Sequence, residues 1–245
     1  MATIRCQNHT FENIAAVLFD KDGTLANVED YLLALGWARS HQIDRQIPGL
    51  APKLAAAMGL TKQTIDPTGL MAIASRQENE IAAAAYVAAT GIGWTKSRQI
   101  VSTAFSQAKE QLAAQHSPPS LIEGARSLIA QLKSTGVKVG IVSADTHLAV
   151  HAFTTHHQLG GIDWYCGEFV SNPPKTHPEF LNFACESIGS RPEQTLIIGD
   201  SGTDLRLASQ GAAGFIGMVG GWQIAPKISG AKITVQRLDQ VECFD

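Results

Sequence analysis

The sequence predicts an α/β fold, a doubly wound, Rossmann-like parallel sheet with an all-helical domain inserted into it. Three observations carry this reading. Short, continuous apolar runs end abruptly in polar, turn-forming residues, as strands buried on both faces do. Helical patterns alternate with those runs, which is the signature of a parallel sheet covered by helices. Between Thr24 and Pro118 a stretch of about 90 residues holds no convincing strand, far more than an ordinary loop.

Taken in order, the first element is the run Ile14-Ala15-Ala16-Val17-Leu18-Phe19, which stops at Asp20-Lys21-Asp22-Gly23-Thr24. The inserted stretch is Ala-rich, with Ala55–Ala57, Ala82–Ala85 and a periodic run from Ser97 to Gln115, broken once by Gly91-Ile92-Gly93. Pro118-Pro119 marks the return. The expected boundaries are therefore a core of residues 1–26 and 116–245 and a helical domain of residues 27–115. A helix over Ile122–Ser134 stops at Gly136. The run Val137–Val142 ends at Ser143-Ala144-Asp145. A helix over Pro178–Ser187 precedes the run Thr195–Ile198, which ends at Gly199-Asp200-Ser201-Gly202-Thr203-Asp204. A further helix starts at Asp204, and Gly214–Met218 and Lys232–Val235 complete the strands. No internal repeat is present.

Composition narrows the function classes. In 245 residues, 19 Lys and Arg face 22 Asp and Glu, so no basic excess exists to neutralise a nucleic-acid backbone or an anionic membrane. Small-molecule partners are expected, with no nucleic acid and no membrane. The longest uncharged run, Leu207–Pro226, is broken by Gly211, Gly214, Gly217, Gly220 and Gly221 and reads as loops around one short strand. The N-terminus carries Arg5 and Glu12 and no apolar signal segment, so a cytoplasmic location is expected. Cys6, Cys166, Cys185 and Cys243 are scattered and read as unlinked thiols.

Four short motifs carry the chemistry. They are Asp20-Lys-Asp22-Gly-Thr24-Leu, then Ser143, then Lys175 within Pro174-Lys175-Thr176-His177-Pro178, then Gly199-Asp200-Ser-Gly-Thr-Asp204. Each follows a strand at its C-terminal end or lies between two strands, and ligands of open parallel sheets bind at that edge. Singly, each has an ordinary structural explanation: Asp-x-Asp-Gly as a turn, Ser143 as a helix cap, Lys175 as a surface lysine, Gly199-Asp200 as a strand–loop junction. Phosphoryl transfer gives them a joint one. It needs a positioned nucleophile, relief of spreading negative charge and a proton for the leaving oxygen. Asp20 suits the nucleophile and Asp22 the proton donor and acceptor. The crowded carboxylates call for a hard divalent cation with oxygen ligands.

In this order the motifs resemble the haloacid dehalogenase-like superfamily, most closely its phosphatases, and the Lys21 and Lys175-x-x-Pro178 features resemble phosphoglycolate-phosphatase-like members. The resemblance covers residues 14–26 and 118–222; the inserted stretch matches the family's helical cap in position and size. It implies an aspartyl-phosphate on Asp20, acid–base work by Asp22, and a mobile positive charge from Lys175. It also implies phosphate contacts from Thr24, Ser143 and the Ala144 N–H at a strand-to-helix turn. Mg2+ would be held by the Asp20 side chain, the Asp22 carbonyl and the Asp200 side chain, with Asp204 acting through water or behind the ligands. The expected partner is a small phosphorylated metabolite and the expected assembly a monomer or homodimer.

The second aspartate, Asp22, points away from a dehalogenase, since a halide leaves without an acid. A phosphomutase of the same superfamily stays open, as does a noncatalytic phosphate-binding regulatory protein. Arg39, Arg45, Arg76 and Arg98 in the inserted stretch are cationic candidates for the distal group of a substrate. His147 and His151, four apart on a helix with His156 and His157 beyond, would need a third ligand to hold zinc, have no zincin Glu between them, and read as a partly exposed helix face. Trp37, Trp94, Trp164 and Trp222 are dispersed and read as packing residues. The Gly211–Gly221 stretch lacks a nucleotide-binding pattern and reads as loop-forming.

Overall fold

A computed structural model describes residues 1–113, 118–168 and 172–244. The chain divides into two compact units, Met1–Asn27 with Ser120–Asp245, and Val28–Pro119. The first unit begins with an antiparallel hairpin of β1 (Ala2–Cys6) and β2 (His9–Ile14). There follow β3 (Ala16–Phe19), β4 (Ala26–Asn27), β5 (Ser120–Leu121), β6 (Lys138–Thr146), β7 (Trp164–Glu168), β8 (Thr195–Gly199), β9 (Gly214–Met218), β10 (Thr234–Val235) and β11 (Val241–Phe244). Six of these form one parallel sheet in the order β10-β9-β8-β3-β6-β7. The chain order reverses between β3 and β8, and in such sheets the crevice at the carboxyl end of the reversal is where ligands sit. Every residue of β3 and of β8 is buried, the reason these strands are continuously apolar rather than alternating.

Several sequence expectations need correction here. Ile14 closes β2 and is not the start of β3. A small antiparallel sheet, β11-β1-β2, lies in segments where no strand was expected. The stretch after Thr24 does contain a strand: β4 pairs antiparallel with β5, Ala26 opposite Leu121 and Asn27 opposite Ser120. The outgoing and returning chains are thus hydrogen-bonded to each other, and Ile122 N–H extends the pairing to Leu25 C=O at 2.8 Å. The run at Lys232 contributes only Thr234–Val235 as strand.

The second unit, Val28–Pro119, holds α1 (Glu29–Asp44), α2 (Ala51–Ala57), α3 (Leu70–Ile73), α4 (Arg76–Ala88) and α5 (Trp94–Ala113). Gln115, the expected end of the last periodic run, lies outside the described residues. α5 buries Ser97, Ile100, Val101, Ala104, Phe105, Ala108 and Leu112, a stripe at three- and four-residue spacing that packs on α1 and α4. α4 starts at a capping box: Ser75 Oγ accepts from Glu78 N–H and Glu78 returns the bond to Ser75 N–H.

In the first unit, α6 (Ala125–Ser134), α7 (His147–His156), α8 (Phe180–Ile188) and α9 (Gly202–Ala208) cover the sheet. Three of these begin away from the expected residue. α6 starts only after Gly124, at φ +86°; α8 starts at Phe180, not Pro178; α9 starts at Gly202, not Asp204. α8 buries Phe180, Leu181, Ala184, Cys185 and Ile188 against Ala16, Leu18, Val142 and Ile197 of the sheet. Each such large side chain contributes about 1.5–3 kcal/mol. Among the described residues no helix is long and apolar enough to cross a membrane.

Candidate active site

The site is built by the carboxyl ends of β3, β6 and β8. Asp20 is the residue after β3, and its N–H donates to Ile198 C=O of β8 at 2.8 Å, so the backbone at the sheet's reversal point is fixed. The chain then turns sharply. Gly23 N–H donates to Ala26 C=O at 3.0 Å, and the N–H groups of Leu25 and Ala26 both donate to Lys21 C=O. Gly23 takes φ +78°, and a Cβ there would lie 2.3 Å from Asp200 Oδ2. Only glycine fits the turn on both counts.

Asp200 follows β8, and its Oδ2 accepts from the Trp222 indole N–H at 2.6 Å. Asp204 is the third residue of α9. Its Oδ2 accepts from Ser201 N–H at 3.0 Å and from Ser201 Oγ at 2.6 Å, a capping box that also orients the carboxylate. Its Oδ1 meets Lys175 Nζ at 2.6 Å. Gly199 makes room, since a Cβ at this position would stand 2.2 Å from Asp204 Cγ. Lys175 Nζ donates to Asp20 Oδ1 and, at 3.3 Å, to Val142 C=O. The expected mobile cation is therefore buried and held from three sides.

Asp22 turns its carboxylate to its neighbour: Lys21 Nζ lies 2.5 Å from Asp22 Oδ1 and 3.2 Å from Asp145 Oδ2. Ser143 is buried, and its Oγ accepts from Asp145 N–H at 3.0 Å. Ala144 is not at the strand-to-helix turn as expected. It lies inside β6, where pairing with β7 is irregular between Val142 and Thr146, and Thr146 caps α7. Thr24 is fully buried and its hydroxyl makes no hydrogen bond among the described residues. A buried hydroxyl without a partner costs free energy, which a phosphate oxygen would recover.

Electrostatics dominates the site. Burial first, and then Asp204 and Asp22, push Asp20 up to about 7 against the opposing pull of Lys175. Burial likewise raises Asp22, with Asp145 adding to it and Lys21 opposing. Asp200 stands well above the usual carboxylate range through burial and the charges of Asp20 and Asp204. Burial alone would lower Lys175, but Asp20 and Asp204 outweigh it and raise it. Lys21 is raised in the same way by Asp22 and Asp145. Among the described residues, Asp20, Asp22, Asp145, Asp200 and Asp204 face the two cations Lys21 and Lys175, a formal excess of three negative charges.

That excess fits a divalent cation with oxygen ligands. No cluster of three or more His, Cys, Asp or Glu side chains is set to hold a metal among the described residues. Two buried carboxylates within electrostatic reach of each other, Asp20 and Asp200, are hard oxygen donors of the kind Mg2+ takes.

Other expected candidates fall elsewhere. Within the helical unit, Arg39 is buried over the Phe105 ring at 4.4 Å, Arg76 pairs with Glu80 at 2.8 Å, and Arg98 lies over Trp94 at 5.9 Å. Arg45 is exposed and donates to Gln42. His147 and His151 both face Tyr165, the first stacked on its ring at 4.9 Å and the second bonded to its hydroxyl at 2.8 Å. The Gly-rich segment holds β9 as well as a loop, and Trp222, the residue after it, reaches Asp200. Lys21, Trp222 and Asp145, which pairs with Lys21 at 3.2 Å, are the site neighbours that sequence reasoning did not place. The position of Lys21 between two aspartates was the available signal for the first; the second had none.

No curated protein matches the sequence. Solved structures do match in fold. A predicted phosphoglycolate phosphatase from Haemophilus somnus 129pt superposes with a TM-score of 0.69 at 16% identity, over 92% of this chain and 95% of that one. A predicted phosphatase from Clostridium acetobutylicum gives 0.63 at 16% identity, over 93% and 96%. A HAD-superfamily hydrolase of subfamily IA from Geobacter sulfurreducens PCA gives 0.56 at 19% identity, over 92% and 93%. The family model for haloacid dehalogenase-like hydrolases matches residues 14–211, a span that runs from the last residue of β2 past Asp204. The chain belongs to the haloacid dehalogenase-like hydrolase family.

Proposed function

We propose that this hydrolase is a Mg2+-dependent phosphatase of small phosphomonoesters that works through a phosphorylated Asp20. The observation that carries the reading is the placement of Asp20. It directly follows a central strand at the sheet's reversal point, paired to Lys175, with Asp200 and Asp204 within electrostatic reach.

Asp20 attacks phosphorus with one carboxylate oxygen, and the bond from phosphorus to the alcohol oxygen breaks. Asp22, two residues on, passes a proton to the leaving alcohol. It then takes a proton from the water that attacks the acyl-phosphate, which releases inorganic phosphate and restores the Asp20 carboxylate. Lys175 neutralises part of the charge on Asp20 and on the phosphoryl oxygens. The buried hydroxyls of Thr24 and Ser143 supply hydrogen bonds to those oxygens, and the Ala144 N–H is the remaining candidate donor. The Asp20 and Asp200 side chains and the Asp22 carbonyl would hold Mg2+, which would supply charge neutralisation at the phosphate, and Asp204 would support this set through Ser201 and Lys175.

The domain reading accompanies this one: the helical unit acts as the cap of the family and the other unit as its catalytic core. A small phosphorylated metabolite as partner fits the balanced charge, and a cytoplasmic location fits the four free thiols. The structural neighbour named for phosphoglycolate makes that ester one member of the substrate panel to be tested. Release of phosphate from an aryl phosphate and from a panel of phosphorylated metabolites, with and without Mg2+, is the test. Asp20→Asn should keep the circular dichroism of the fold and lose turnover by at least about 1,000-fold. Near-normal hydrolysis by that variant would refute the covalent route. Isomerised product in place of free phosphate would make the protein a mutase, and no turnover of any ester would favour a binding role.

A further inference from the structure

Trp222 belongs to none of the motifs that point to the site, yet it touches one of its carboxylates. Its side chain is buried, and its indole N–H donates to Asp200 Oδ2 at 2.6 Å. The indole nitrogen is a donor only, so a carboxylate is a matched partner and the pair cannot reverse its roles. Among the described residues nothing hydrogen-bonds to Asp200 Oδ1, so that oxygen remains available.

The chain around Trp222 is arranged to hold this contact. A Cβ on Gly23 would lie 2.3 Å from both Asp200 Oδ2 and Trp222 Nε1. A Cβ on Gly221 would lie 2.0 Å from Gly23 C=O, and one on Gly220 1.8 Å from Gln236 C=O. The preceding residue is tied as well, with Val219 N–H donating to Val235 C=O at 2.8 Å. The segment Val219–Trp222 is therefore wedged, backbone on backbone, between the Asp20–Thr24 turn and the segment that follows β10. Three glycines without side chains bring an indole to the carboxylate, and none of the three positions tolerates a methyl group.

We propose that Trp222 is a positioning residue for Asp200: its N–H occupies Oδ2 and fixes the carboxylate so that Oδ1 is the oxygen presented to Mg2+. This rests on the Mg2+ reading of the site given above. A carboxylate with one oxygen held by a charge-assisted hydrogen bond has lost the freedom to rotate away from its ligand or to chelate with both oxygens. Trp222 thus sets metal affinity without touching metal or substrate.

Calorimetric titration of Mg2+ into the full-length wild type, Trp222→Phe and Asp200→Asn is the experiment. Phe retains the ring packing and removes the donor. The wild type should bind one Mg2+, Asp200→Asn should bind none, and Trp222→Phe should bind about 10–100-fold more weakly. The Mg2+ concentration giving half-maximal aryl-phosphate hydrolysis should rise by the same factor. A purely structural Trp222 would lower the metal-free melting temperature and leave the Mg2+ affinity unchanged, and that result overturns the inference. A wild type that binds no Mg2+ overturns the metal reading itself, which separates the two failures. If Trp222→Phe does not fold, the wild type still decides. Its Trp222 indole N–H signal, assigned with Trp37→Phe, Trp94→Phe and Trp164→Phe, should shift on Mg2+ saturation; a signal that stays put overturns the inference.

Discussion

Lys175 shows how a single residue is defined by its partners. A lysine in a Pro-Lys-Thr-His-Pro segment has every sequence attribute of a solvated surface cation. In the fold its side chain is 7% exposed and is contacted by Asp20, Asp204 and the Val142 carbonyl. Burying an ammonium is costly, and only the paired carboxylates offset it. The reverse also holds, because without Lys175 the carboxylates of Asp20 and Asp204 lose their shared cation. Lys175→Met should therefore destabilise the metal-free protein by about 3–5 kcal/mol, the usual cost of removing one partner of a buried pair. Urea unfolding in the presence of a chelator measures this. A loss below about 1 kcal/mol would mean that the two aspartates accept protons freely and that the pair carries no structural weight.

Elements are tied together by a second, more exposed charge. Asp163 stands before β7 and accepts from the Lys133 ammonium at the end of α6, at 2.6 and 2.7 Å, and from Val139 N–H of β6 at 2.7 Å. Burial would raise its pKa, but the Lys133 bond and the Val139 N–H together outweigh this and lower it. A carboxyl depressed in the folded state stabilises above its unfolded pKa, about 3.9, and loses that contribution as pH falls through the folded value. Asp163→Asn should cost about 1 kcal/mol at pH 7, discounted for solvent access, and the gap to wild type should close below about pH 4. Chemical denaturation at pH 7 and pH 3 checks both limits; a gap that persists in acid would assign the effect to packing rather than charge.

The same scale explains what could be read in advance. β3 and β8 were legible because strands buried on both faces leave an unbroken apolar run, and the residues that follow them, Asp20 and Asp200, carry the proposed chemistry. β2 was not, because it exposes most of its length and its polar sequence, His9–Ile14, has no buried face to impose alternation; β1 and β11 do alternate, burying Ala2, Ile4 and Cys6 and Val241 and Cys243, but over only five and four residues. β4 has two residues and exists only through its pairing with β5, a partner more than 90 positions away that no local pattern announces. Asp20, Ser143, Lys175, Asp200 and Asp204 were visible as residue types at strand ends or between strands. The Trp222–Asp200 contact was not, since it depends on where the loop after β9 lands and on the glycines that allow the approach.

For the whole molecule the net charge of −3 takes on a location. Removing the five site carboxylates from 22 acidic residues leaves 17, and removing Lys21 and Lys175 from 19 basic residues also leaves 17. The formal excess of the chain is thus the excess of the site, and the remainder is balanced. Self-repulsion is concentrated where burial already raises Asp20, Asp22 and Asp200, so the folded state carries a local destabilisation that a divalent cation would relieve. A ligand that binds only the folded state stabilises it by mass action, about 2.7 kcal/mol at 100 times its dissociation constant. For a chain of this size each kcal/mol is worth roughly 2–4 °C. Mg2+ at that concentration should therefore raise the melting temperature by roughly 5–10 °C, while an equal ionic strength of a monovalent salt, which only screens, should do far less at these buried groups. Asp200→Asn removes a proposed ligand and one charge together, so its metal-free form should melt no lower than wild type and should lose most of the Mg2+ shift. Equal shifts in variant and wild type would place the cation somewhere other than this cluster of carboxylates.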